Sequence, residues 1–362
     1  MQEFLTSTSG LAYNSSSLRE RDGGRVAWLD IGIDLGTCNI YAMSSAGKTV
    51  LCEPSVVAVD KRTGKVMGAG AAVYDMLGKT PGHIEVVRPL RDGVISDFGM
   101  TEVLIRHLLG KITKSQLLKP RVCLCVTSEI TGVESQAVID ATVAAGARKV
   151  YLIEEPVAGA IGAGIDLSLP RGNMIIDVGG GTTDIAVLSL NGIVCKTSVK
   201  VAGHAFDEAL VRYMRQRYNI LIGERTAERL KFEAGAVSHD CPDASCEVKG
   251  RDLISGLPRK ITVTRKETLP VLGEVMDQIL AAAVSVLEKT PPELAGDIRE
   301  SGVVLTGGGV QLTGFAQAVS ARAKIPARLA GDPERSVVMG TAKSFDYLDK
   351  LYDGFVGTGT AR

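Results

Sequence analysis

The sequence predicts an α/β protein made of two pseudo-duplicated domains that face each other across a ligand cleft. Three observations predict it. The chain has 362 residues, more than one ordinary core holds and suited to two domains. Short apolar runs closed by polar or Gly-rich turns alternate with helical patterns along most of its length, as α/β folds require. One strand–turn–strand unit occurs twice, as IGIDLGTCN (31–39) and IIDVGGGTTD (175–184), about one domain's length apart.

In chain order, residues 1–25 are rich in Ser, Gly and charge with weak periodicity and read as a flexible extension. From Val26 the character changes to WLDIGIDLGT, an apolar strand ending in a Gly turn. RVCLCVTS (121–128), KVYLIEE (149–155), NMIIDVGG (173–180) and SGVVLTGGG (301–309) suit strands buried on both faces. Helical patterns cover 206–218, 226–236 and 269–290. No run of about 18 apolar residues is visible, so no membrane-spanning helix is expected, and the N-terminus lacks a signal-peptide pattern. Lys+Arg and Asp+Glu balance at 41 each, which argues against a nucleic-acid partner. The seven cysteines include no Cys-x-x-Cys pair. Neither a disulfide framework nor a zinc site is indicated, and a reducing cytoplasm fits. Cys123 and Cys125 alternate within a strand and read as structural thiols.

The two hairpins carry the chemistry. Gly36 in the first and Gly179, Gly180 and Gly181 in the second let the backbone turn tightly and approach an anion. Successive N–H groups then converge on a phosphate. Thr37, Asn39, Thr182 and Thr183 add side-chain donors. Asp34 and Asp177 sit just before their turns, where a carboxylate can hold Mg2+ through water. Either hairpin alone also reads as an ordinary Gly turn. A third Gly-rich turn, LTGGGVQL (305–312), makes coincidence a poor account of all three. At Glu154 and Glu155, Pro156 marks the first turn of a helix, so the pair lies at a strand-to-helix junction pointing into the cleft. A helix-capping role for these carboxylates is the alternative.

The order DLGT, IEEP, DVGGGTTD, LTGGG resembles the superfamily of actin, sugar kinases and heat-shock chaperone ATPases. The segments EPSVVAV, MLGKTPGHIEVVRPLRDGVISDF, YLIEEPVAGAIGAG, GERTAERLKFEAG and TPPELAGDI are similar, in the same order, to the MreB family of bacterial cell-shape actins. The likeness covers roughly residues 30–348. It implies an actin-like fold: two ribonuclease-H-like domains, each with a smaller inserted subdomain, and nucleotide between them. Subdomain IA would be 26–57, 91–170 and 340–362, IB 58–90, IIA 171–205 and 271–339, and IIB 206–270.

The resemblance also implies site roles. Thr37, Cys38 and Asn39 meet the phosphates of ATP from one domain, and Gly179, Gly180 and Gly181 from the other. Glu228, Arg229, Leu230 and Lys231 border the ribose and base, although the residues alone read rather as a solvated helix face. Gly307, Gly308, Gly309 and Val310 close the cleft. Glu155 orients the attacking water, with Thr182 counted beside it at the reacting end, in a slow ATPase coupled to polymerisation. The partners implied are further copies of the chain in a filament, the inner membrane surface and the cell-wall elongation machinery, with the protein cytoplasmic and peripheral on the membrane's inner face. Leu117 and Leu118, flanked by Lys114 and Lys119, stand where a membrane-inserting loop is expected; ordinary burial is the alternative. Asp184, His204, Ile40 and Cys38 depart from the family pattern, and His204 is expected near the cleft. The loop 238–250 also departs and is expected at the tip of the second domain. A metabolite kinase of the same fold would need a catalytic Asp and a sugar pocket, for which no motif is found. A chaperone would need a substrate-binding domain, and about a dozen residues follow Leu348.

Overall fold

The structure is a computed structural model that describes residues 29–47, 50–113, 119–351 and 354–360. Leu117, Leu118 and the 1–25 segment lie outside the described residues. Two sheets organise the chain. The first runs in the order Val50–Pro54, Asn39–Ser44, Asp30–Leu35, Arg121–Val126, Lys149–Glu154, Phe355–Thr360. The second runs Gly192–Val199, Thr183–Ser189, Asn173–Val178, Val303–Thr306, Ala327–Leu329. In both, an antiparallel meander of three strands leads into two parallel strands. The duplicated motif is therefore a duplicated topology. Asp34 pairs across its hairpin with Tyr41, and Asp177 with Asp184. The parallel strands are buried on both faces, which is why they read as unbroken apolar runs rather than alternating ones.

The sheets are joined beneath the cleft by two helices. Glu155–Gly162 continues from the strand Lys149–Glu154, and Ser336–Lys343 lies against it. They pack at backbone distance: a Cβ on Gly162 would stand 1.7 Å from the Ser336 carbonyl oxygen, and one on Gly340 1.7 Å from that of Ala158. Around them Cys123 and Ile153 from one sheet and Ile175, Ala186 and Val304 from the other form a single apolar cluster with Val157 and Val337. Cys123 and Cys125 are buried free thiols.

Each sheet carries an insertion above the cleft: a small sheet of Val57–Asp60, Lys65–Ala69 and Ile84–Val87 on one side, and one of Ile220–Leu221, Ser245–Asp252 and Pro258–Thr264 on the other. Three details differ from the sequence reading. The long helix spans Arg265–Lys289, starting before Pro270, because Thr264 and Glu267 form a reciprocal capping box. That helix is long and apolar enough to cross a bilayer by length and composition alone, but its stripe of Leu272, Val275, Met276, Ile279, Ala283 and Val286 is buried in the core of the second domain. Residues 237–241 pack on the turn before the helix Phe315–Ala323, where Val237 N–H donates to Thr313 O and Gly314 faces Ser238 and Cys241, and 245–250 belong to the strand Ser245–Asp252. The loop 253–257 connects the strands Ser245–Asp252 and Pro258–Thr264.

Candidate functional site: a phosphate cleft between two hairpins

The two hairpin turns meet across a cleft of about 260 Å³. Its walls include Asp34, Gly36, Thr37, Cys38 and Asn39 from the first domain. Asp177, Gly179, Gly180, Gly181 and Thr182 come from the second, with Glu155 at the floor. Gly307, Gly308 and Gly309 close one side, and Glu228 and Lys231 reach it from the helix Glu224–Ala234. The glycines are required by space. A Cβ on Gly180 would stand 2.3 Å from Cys38 Sγ, and one on Gly181 2.8 Å from Thr37 Oγ1 and 2.9 Å from Asp92 Cα. Gly307 holds a left-handed φ of 87° directly against the Val178 backbone.

Three of the expected residues do not line the cleft. Leu230 and Val310 are core residues of the second domain. Arg229 turns away to Glu233, Cys246 Sγ and the Glu247 carbonyl. A helix presents positions three and four apart on one face, so Glu228 and Lys231 can share the cleft while their two intervening neighbours cannot. Lys231 is itself engaged: its ammonium lies 2.9 Å from Asp207 and 3.2 Å from Gly203 O. Glu154 and Glu155 also part company. Glu154, the N-cap of the helix Glu155–Gly162, makes no side-chain capping hydrogen bond; it is buried and receives Lys196 Nζ at 2.7 and 2.8 Å from the opposite domain, whereas Glu155 faces the cleft.

The floor of the cleft concentrates acid. Burial pushes Asp34 up to about 7 and Asp177 up to about 8. Glu155 is pushed well above the carboxylate range, first by burial and then by Asp184, Asp177 and Asp34. Asp177 accepts from Thr306 Oγ1 at 2.6 Å. Asp184 accepts from Thr127 Oγ1 at 3.0 Å and Ser128 N–H at 2.7 Å on one oxygen, while its other buried oxygen has no partner. Desolvated carboxyls with a spare acceptor favour a hard cation, which stabilises their ionised form. Among the described residues, no three His, Cys, Asp or Glu side chains are grouped so as to hold a metal ion directly. An oxygen-rich site reached through water suits Mg2+, which keeps much of its hydration shell.

Tyr41, Phe232 and Glu334 line the cleft but were not singled out by the sequence. Tyr41 OH donates to Glu334 across 293 positions of chain at 2.5 Å. Phe232, one helical turn from Glu228, lines the rim; the i, i+4 spacing could have found it. Cys38 Sγ and His204 Nε2 stand 2.9 Å apart, joining the first turn to the start of the helix Gly203–Tyr218. Burial pushes the thiol up to about 11 and the imidazole down, so the contact joins a neutral thiol and a neutral ring. Over the mouth, Tyr74 OH donates to Glu228 at 3.2 Å, and Arg88 pairs with Glu224 at 2.5 Å.

Two facing sheets of one topology, with glycine turns converging on one acidic cleft, define an actin-like protein. Comparison with known proteins narrows this. The family model described as MreB/Mbl protein matches residues 28–353. The cell shape-determining protein Mbl of Bacillus subtilis is 46% identical over 323 residues, 89% of this chain and 97% of that protein. MreB of Escherichia coli K12 is 43% identical over 326 residues, 88% of this chain and 94% of its own. The crystal structure of MreB 5 of Spiroplasma citri bound to AMPPNP superposes with a TM-score of 0.85 at 37% identity, covering 90% of this chain and 98% of that one. The chain belongs to the MreB/Mbl family of bacterial actin homologues.

Proposed function

We propose that this protein binds ATP with magnesium, hydrolyses it slowly, and polymerises into filaments that lie on the inner face of the cell membrane and organise cell-wall synthesis, and with it cell shape. The observation that carries the reading is the pair of glycine turns facing one another over four crowded carboxyl groups. The Spiroplasma relative holding AMPPNP and the cell shape-determining relatives support it.

Backbone N–H groups of the turns at Gly36 and at Gly179, Gly180 and Gly181 donate to the phosphates. Asp34 and Asp177 would hold the magnesium ion through water, and when bound that ion supplies charge neutralisation to the phosphate oxygens. Glu155 orients the attacking water beside Thr182. Such positioning with little covalent chemistry suits slow phosphoryl transfer to water. Nucleotide in the cleft fixes the relative orientation of the two domains, and the mouth contacts Tyr74–Glu228 and Arg88–Glu224 tie that orientation to the upper surface. One orientation then favours a head-to-tail contact, which builds an open filament rather than a closed ring.

Sedimentation and electron microscopy with Mg-ATP, with and without anionic vesicles, test the proposal. Filaments that appear with ATP, and bind vesicles less in the Leu117→Ser/Leu118→Ser variant, are expected. Absence of polymer under all conditions would exclude the filament role. Vesicle binding unchanged in the variant would exclude these leucines as the anchor.

A further inference from the structure

We propose that His204 is a positioning residue for the nucleotide: through Cys38 it clasps the two phosphate turns together, and this clasp sets how fast bound nucleotide leaves. The inference rests on the nucleotide reading above and adds to it a contact that holds the turns at working distance.

His204 is tied to both domains at once. Its backbone N–H donates to Gly180 O at 2.8 Å, and the neighbouring Gly203 N–H donates to Gly179 O at 3.1 Å. The start of the helix Gly203–Tyr218 is therefore built onto the second turn. The side chain reaches the other way, and Nε2 lies 2.9 Å from Cys38 Sγ in the first turn. That turn is anchored in its own domain, where Ser55 N–H donates to Cys38 O at 2.9 Å and Ser55 Oγ to Gly36 O at 2.6 Å. Each turn thus has its own support, and the Cys38–His204 contact links the two supports.

Core packing does not account for where the imidazole sits. Cys38 borders the nucleotide cleft. His204 borders a second cavity of about 620 Å³ that also spans the two domains, with Leu90 and Arg91 on one side and Val211 and Ile222 on the other. A ring with open space beside it and a thiol in front of it is placed by its polar partner rather than by close-packed neighbours.

The height of the contact in the cleft decides its effect. At the mouth, Arg88–Glu224 and Arg225–Asp75 end on exposed acids, and exposed pairs hold weakly. Glu154–Lys196 lies at the floor beside the joining helix Glu155–Gly162, where parting of the turns moves it least. Cys38 and His204 stand level with the turns themselves. Gly180 fits so closely against Cys38 that a Cβ there would lie 2.3 Å from Sγ. Losing the contact lets the turns part where their N–H groups must converge on one anion. The reacting end is held separately: Gly93 N–H donates to Thr37 Oγ1 at 3.3 Å, and Gly181 lies against Thr37 and Asp92. The clasp therefore acts on nucleotide release, where most changes in affinity appear, and leaves the hydrolytic step alone.

The test is a chase of a fluorescent Mg-ATP analogue from the full chain by excess unlabelled Mg-ATP, at concentrations where no polymer sediments. Single-turnover phosphate release at saturating ATP runs alongside it. His204→Ala and Cys38→Ala are each expected to speed dissociation about three- to tenfold, the scale of one hydrogen bond, with phosphate release changed less than about twofold. The double variant should dissociate no faster than either single one, because both substitutions remove one contact. Glutamine carries an amide nitrogen as many bonds from the backbone as histidine Nε2, and asparagine carries it one bond short. His204→Gln should therefore stay within about twofold of the parent, while His204→Asn behaves like His204→Ala. If His204→Ala does not fold, Cys38→Ala and the comparison of His204→Gln with His204→Asn decide alone. Dissociation at the parental rate in the alanine variants, effects that multiply in the double variant, or equal rates for His204→Gln and His204→Asn overturn the clasp and leave the nucleotide reading standing. A parent that binds no Mg-nucleotide removes both.

Discussion

Substituting Glu155 with glutamine is expected to slow ATP hydrolysis by about 100-fold or more, the scale of a positioned proton-accepting group, while Mg-ATP affinity stays within about threefold, since the phosphates are held by backbone N–H groups of the turns. Single-turnover phosphate release against a binding isotherm separates the two quantities. The same substitution has a pH signature. Asp34, Asp177 and Glu155 all ionise at higher pH in the folded protein than in the unfolded chain, because of burial. Native structure thus prefers their neutral forms. Stability from this cluster is fully present below the ordinary carboxylate range and is lost as pH rises from about 4 through the values near 7 and 8. Nucleotide- and magnesium-free protein should show a falling denaturation midpoint between pH 5.5 and 8.5, and Glu155→Gln, with one charge fewer to expel, a shallower fall. A parent midpoint that rises over that interval would contradict the assignment of these groups as buried and uncompensated.

Replacing Gly340 with alanine is expected to destabilise the fold by about 3 kcal/mol or more, at or beyond the upper end of overpacking costs. The added carbon would lie 1.7 Å from a backbone oxygen of the neighbouring helix, not from a flexible side chain. The helices Glu155–Gly162 and Ser336–Lys343 must therefore separate. They sit in the apolar cluster shared by both sheets, so the disturbance reaches Glu155 at the start of one of them. Gly296, in the helix Pro292–Ser301, has nothing within 4 Å of a built Cβ. Gly296→Ala should change stability in the opposite direction, by roughly 0.5–1 kcal/mol through helix propensity and reduced unfolded-state freedom. Urea denaturation of the pair measures both signs in one experiment.

The frame of this fold was legible because its signals are local. Buried parallel strands leave apolar runs, tight turns leave glycines, and a duplicated hairpin leaves a duplicated string, so the strands ending at Asp34 and Asp177 could be placed from residues alone. What was illegible depends on phase or on distant contact. Leu230 and Arg229 were grouped with Glu228 and Lys231 as one string, and helical phase sent one into the core and the other to Glu247 O. Pro270 stands inside the long helix although proline usually marks a first turn, because the capping box at Thr264 and Glu267 starts the helix earlier. The Tyr41–Glu334 bond and the closure of Glu154 by Lys196 join residues far apart in the chain, and no pattern in either segment announces its partner. Asp184 was flagged only as a departure from family pattern; its place among the four carboxyls follows from its register opposite Asp177.

The central claim, that both hairpin turns grip one magnesium-nucleotide, is met most directly by titration calorimetry of the purified chain with Mg-ATP, alongside Gly181→Ala. The account predicts one site per chain, binding that weakens sharply when magnesium is chelated, and at least a tenfold loss in the variant, whose added carbon would press on Thr37 and the Asp92 backbone. A folded parent that takes up no nucleotide, or a variant that binds as tightly as the parent, would contradict it.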